Sequence, residues 1–205
     1  MMTLPLRRFM LTTHITFSVG WLGAVAVFLV LAITGLTCQN AEIVRASYLA
    51  MELSGWFIIV PASIGALLSG VVQSLGTQWG LFKHYWIVVK LLLTVGATLL
   101  LFLHMQPVSF VADVAAKTIL TASELRGLRI QLIGDASAAL FVLLAATFIS
   151  VYKPWGRIEF SLNREQRNSA FKTDNSAGRY IIIGLICFII LIAIIHLAGG
   201  GMGHH

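Results

Sequence analysis

The side chains able to do chemistry in this chain stand inside apolar stretches, where side chains are usually inert. Lys90 lies within residues 81–105, LFKHYWIVVKLLLTVGATLLLFLHM, with His84 and His104 near the ends of the run. An ionisable residue within a membrane helix costs roughly 2.5–3.5 kcal/mol on insertion scales and is a functional-site hypothesis by default. A lysine so placed needs an anionic partner, a carbonyl, a ligand or the loss of its proton. The plainer alternative is a stem that leans back until the ammonium reaches the membrane surface. His14 opens an earlier apolar run, and Trp21 and Phe28 follow it at intervals of seven, on one helical face. A neutral imidazole ligates iron, copper or zinc; at a membrane interface it also serves as a simple polar anchor. A second group gathers His104, His196 and the tail GGGMGHH with Met202, His204 and His205. Methionine with histidine suits copper, although a terminal His-His is also what an affinity tag leaves. Asp135, in QLIGDASAA, either pairs with Arg129, reaches a cavity with His104, or faces headgroups.

Membrane helices must position these groups. The chain has 205 residues, 58% hydrophobic and 11% charged, against about 25% charged in ordinary soluble domains. Its formal charge is +6, but the basic residues flank apolar runs. There they set topology and meet anionic headgroups, which argues against a nucleic-acid partner. A helix crosses a bilayer core with about 20 apolar residues. Stretches 10–36, 56–75, 82–105, 131–152 and 180–197 meet or approach that length. The expected fold is all-α: a polytopic transmembrane bundle with a four-helix core and a fifth, C-terminal transmembrane helix, in one membrane domain over 1–205. Arg7 and Arg8 resemble a signal-peptide start, but the following run is too long and lacks a cleavage site, which predicts an uncleaved first helix. Ala62, Gly65, Ala66, Ser69 and Gly70 predict close helix approach on the second helix, and Pro61 predicts a kink near its end. Cys38 and Cys187 fall at different depths, without metal-type spacing, as small core residues.

The loops decide orientation. Arg7, Arg8, Lys83, Lys153, Arg157, Arg164, Arg167, Lys172 and Arg179 fall on one side; Arg45, Lys117, Arg126 and Arg129 fall on the other. The positive-inside rule puts the first set, and the N-terminus, in the cytoplasm and the C-terminus outside. Outer loop 37–53 has room for a short surface helix. Segment 106–130 mixes apolar and charged residues at near-helical spacing. It reads either as an amphipathic helix at the membrane plane or as an extension of the fourth helix. Loop 153–179 is polar and basic, and reads as a flexible, lipid-facing loop.

Three motifs carry a resemblance. HITFSVGWLGA over 14–24, VPASIGALLSG over 60–70 and WIVVKLLLTVG over 86–96 resemble successive motifs of the J-type protoporphyrinogen IX oxidases, small bacterial membrane proteins. The shared pattern is His14 with Trp21, Pro61–Ala62 with Gly70, and Trp86 with Lys90 and Gly96. The membrane domain of copper-resistance protein D is distantly similar. The whole chain most resembles a bacterial integral membrane family, a domain of unknown function. The likeness spans roughly residues 9–105. The oxidases are shorter, with four helices, and carry a histidine closer after the lysine than His104 is. In that family the helix-one histidine is taken as a haem b ligand and the helix-three lysine is essential, which implies those roles for His14 and Lys90.

The leading expectation is therefore a haem-binding redox protein of the bacterial cytoplasmic membrane. His14 is the axial ligand, and His84 or an open position the sixth. Lys90 is the catalytic group and holds a propionate, and Trp21 and Trp86 wall the pocket. Its substrate would be a quinol or porphyrinogen-like molecule, and its partners the lipid bilayer, a quinone or respiratory component, and a second copy of itself. Two alternatives stay open. One is copper handling through His104 and His196. The other is an accessory or assembly subunit without a cofactor, docking through small-residue helix faces.

Overall fold

A computed structural model describes residues 2–76, 85–120 and 124–152. Among these, all regular structure is helical: α1 (Leu4–Thr37), α2 (Ala41–Ser54), α3 (Val60–Gly76), α4 (Tyr85–Lys117) and α5 (Arg126–Tyr152). A π-helical turn, Gly55–Ile59, joins α2 to α3. Four helical stretches are long and apolar enough to cross a membrane: α1, the α2–α3 run, α4 and α5. The expected fifth helix at 180–197 lies outside the described residues.

The bundle is inside-out relative to a soluble protein. Phe57 is 76% exposed, Phe141 70% and Leu68 60%. Large apolar side chains spread over every outer face are suited to lipid, not water. The inner faces hold smaller groups at helical intervals. On α1 the buried series is His14, Trp21, Val25, Phe28, Ala32 and Gly35. On α3 it is Ala62, Ser63, Ala66 and Ser69. These small α3 residues let α1 lie close, because lipid offers no hydrophobic drive and helices associate through packing. Gly65 shows how close: a Cβ there would stand 2.6 Å from the Phe17 ring.

Around the ring, α1 packs against α3 and α5, and α4 completes it against the same two helices. α1 and α4 face each other across the diagonal. Consecutive spans run antiparallel, as short connections require.

Segment 37–53, with room for a surface helix, and segment 106–130, open between a membrane-plane helix and an extension of the fourth helix, both contribute packed helix. Residues 41–54 do form a helix, started by Asn40, whose Oδ1 accepts from the backbone N–H groups of Glu42 and Ile43 at 2.9 and 3.3 Å. Its Val44, Ser47, Tyr48 and Met51 are buried. They meet α4, which runs on through Pro107 to Lys117 and buries Val108, Val111, Ala112 and Ala115. Segment 106–130 thus splits: its first half prolongs α4, and only its end begins α5. Charges such as Asp113 and Lys117, 2.6 Å apart, occupy the outer face of the prolongation.

The kink expected at Pro61 takes a definite form. Proline has no N–H to donate and its ring crowds the carbonyl four residues back. The turn before it widens, so that the Val60 N–H donates to the Gly55 carbonyl, five residues back.

A buried arginine ties the end of the bundle where α1 finishes and α5 starts. Arg129, 2% exposed, donates through Nε to the Tyr48 hydroxyl at 2.8 Å and through Nη2 to the Gly35 carbonyl. Its guanidinium also lies 5.5 Å from the Tyr48 ring centroid. One side chain thereby holds α1, α2 and α5. The absence of a side chain at Gly35 is essential, since a Cβ would stand 2.7 Å from Tyr48 Cζ. Arg129→Met should lower stability by about 3 kcal/mol, from charge-assisted hydrogen bonds lost and acceptors left buried. Gly35→Ala should also destabilise, and thermal unfolding in detergent reads both. Wild-type melting of Arg129→Met would show that this contact does not hold the helices.

Candidate functional site

The other end of the bundle holds the site. His14 and Lys90 meet across the diagonal, with Lys90 Nζ 3.2 Å from His14 Nε2. The imidazole is 9% exposed. Its second nitrogen, Nδ1, is 3.0 Å from the Ala66 carbonyl and 3.1 Å from Ser69 Oγ. The Ser69 hydroxyl donates to the Gly65 carbonyl at 2.5 Å, so toward His14 it is an acceptor. Both partners of Nδ1 therefore accept, and the proton sits on Nδ1. Nε2 presents its lone pair and accepts from the Lys90 ammonium. The ring comes close to α3 at Gly70, where a Cβ would stand 3.1 Å from His14 Cε1.

This arrangement follows from the sequence step by step. Ala66, Ser69 and Gly70 are small, so α1 approaches near enough for His14 to use α3 as its hydrogen-bond wall. Lys90 reaches it because a lysine stem spans a gap that no shorter side chain crosses. Among the described residues no carboxylate lies within ion-pair distance of Lys90. A half-buried ammonium met, among the described residues, by a neutral imidazole is expensive in an apolar setting.

Trp21, seven residues on from His14, is 3% exposed. It borders a cavity of about 100 Å³ between α1, α4 and α5. Small residues make the space: Gly96 and Ala97 on α4, and Ala136 and Ala139 on α5. His104 and Asp135 line it too, with His104 Nδ1 3.0 Å from Asp135 Oδ2. Of the partners open to Asp135 in the sequence, the fold thus brings up His104, while Arg129 turns to Tyr48 and Gly35.

The expected stripe Lys90–Ala97–His104 divides in function. Ala97 and His104 border the cavity, whereas Lys90 turns to His14. His84, His196 and the side chain of Trp86 lie outside the described residues. Among those described, no group of three or more His, Cys, Asp or Glu residues is placed to hold a metal. The copper site expected at His104 and His196 falls partly outside the described residues. Ala66 and Ser69 were readable only as packing residues; nothing in their types marks them as the partners of one histidine.

No family model matches the chain, and no curated protein or solved structure is significantly similar to it.

Two outcomes test the geometry. Nitrogen-15 NMR of histidine-labelled protein should show His14 as the Nδ1–H tautomer, and an Nε2–H signal would reverse the donor assignment. Lys90→Met should leave stability unchanged or raise it by about 1–2 kcal/mol, because it removes a costly buried charge. A loss above about 3 kcal/mol would instead make Lys90 a structural strut.

Proposed function

We propose that the chain is a haem-binding redox protein of a bacterial cytoplasmic membrane, with haem b held by His14 and Lys90 acting beside it. One observation carries this reading: a buried imidazole anchored through Nδ1 on Ala66 with its Nε2 turned to a cation. A ligating histidine typically anchors its other nitrogen on a carbonyl or carboxylate, which fixes the tautomer and raises its basicity. His14 already has that anchor. The donor chemistry therefore fits haem iron, and Lys90 fits a propionate, since an ammonium bonds a carboxylate strongly.

In this reading His14 Nε2 would hold the iron and Lys90 would hold a propionate. Trp21 would form a wall; the expected roles of His84 as sixth ligand and Trp86 as a second wall fall on side chains outside the described residues. When bound, haem supplies one-electron exchange, tuned by ligand, burial and hydrogen bonding. His14 sets the orientation, Ser69 and Ala66 hold its proton on Nδ1, and Trp21 with the apolar α1 face keeps water out. A quinol or porphyrinogen-like substrate, with a quinone or respiratory component as electron partner, suits a lipid-embedded site. The distribution of basic residues favours a cytoplasmic N-terminus and an external C-terminus.

A second reading, an accessory subunit without a cofactor, draws on another observation. His14 is hydrogen-bonded at both nitrogens. There the His14–Lys90 pair is internal packing glue.

Absorption spectra of detergent-purified protein, oxidised and dithionite-reduced, separate the two. The first reading expects a Soret band that sharpens on reduction, is lost in His14→Ala and is altered in Lys90→Met. A colourless wild type that fails to bind added haemin would eliminate it and leave the accessory reading.

A further inference from the structure

We infer that the cavity between α1, α4 and α5 is a binding site for a single-ring, lipid-soluble quinone or quinol, whose oxygen meets the His104–Asp135 pair. The site is distinct from the His14–Lys90 pair, and the inference does not require haem there.

Four features select this ligand class. The cavity lies within the candidate membrane spans and is lined almost wholly by apolar groups, including Trp21 and Phe28. Its ligand is therefore lipid-soluble and enters from the bilayer. Its size, about 100 Å³, is near the roughly 150 Å³ of an engineered cavity that takes one benzene. With slight adjustment it admits one six-membered ring, not a fused sterol or a tetrapyrrole. Its ionisable lining is one imidazole beside one carboxylate, 3.0 Å apart. A fatty-acid carboxylate would be repelled by Asp135, so the polar end of the ligand is neutral.

The fourth feature is the chemistry of the pair itself. Asp135 Oδ2 stands 3.0 Å from His104 Nδ1, and a carboxylate beside one ring nitrogen helps fix the ring's orientation. An imidazole nitrogen can accept a hydrogen bond from a quinol hydroxyl or, when it carries a proton, donate one to a quinone carbonyl. One pair can thus hold both redox forms of one ligand, which a fixed donor such as lysine cannot do. Asp135 is the positioning residue and His104 the contacting one.

The test is binding of a decyl-substituted benzoquinone to the full chain in lipid nanodiscs, read by quenching of tryptophan fluorescence, with circular dichroism to check folding. Wild type should bind saturably at one site per chain. Asp135→Asn and His104→Gln should each weaken binding about tenfold, the effect of one good hydrogen bond. Ala139→Phe should fill the space and abolish binding; if it fails to fold, Ala97→Leu serves instead. A colourless wild-type protein that still binds the quinone would sink the haem reading alone. The inference is overturned if wild type shows only unsaturable quenching. It is also overturned if the pair and cavity-filling variants bind normally, or if decanol, which has the tail but no ring, competes equally well.

Discussion

An ammonium within an apolar bundle has to be met by something, and much of this structure can be understood from how Lys90 is met. Its Nζ lies 3.2 Å from His14 Nε2, across the diagonal of a ring of four spans. That contact requires the imidazole to be turned with its lone pair inward. The turn in turn requires acceptors for the Nδ1 proton. The Ala66 carbonyl and Ser69 hydroxyl supply them, and they are within reach only because α3 presents small residues toward α1. A larger residue at position 70 would push the ring away. The small-residue face of α3, usually read as a packing device, is here also the outer wall of a polar site.

The opposite end of the bundle uses a second cation differently. Arg129 is fully engaged in the frame, joining Tyr48 and the Gly35 carbonyl. A guanidinium presents several donors in a fixed fork and can satisfy acceptors on separate helices at once. A lysine is a point charge on a flexible stem and shifts readily to a new partner. The molecule thus has a rigid cation at one end and an adaptable one at the other. The difference favours structure at the first and chemistry at the second.

Between these ends the diagonal gap is not filled. Gly96, Ala97, Ala136 and Ala139 leave a space beside the His104–Asp135 pair. A well-packed core would close such a space, because each lost contact weakens packing. In a membrane bundle it is also where ligands and polar residues meet.

The four membrane-length helices, the inward stripe His14–Trp21–Phe28 and the presence of a lysine within a span were all legible in the chain. Apolar length and helical periodicity are local properties, and an intramembrane charge stands out against them. The packing of residues 41–54 and the prolongation of α4 to Lys117 were less visible. Their mixed composition suits a membrane surface as well as a covered helix, and only the partner helix decides. Lys90 and His14 are 76 positions apart, and His104 and Asp135 are on separate helices. Which polar group meets which depends on helix rotation and on the diagonal geometry of the ring. Those are set by the summed packing of all four spans, so the residue types were in the sequence and their pairing was decided by the tertiary structure alone.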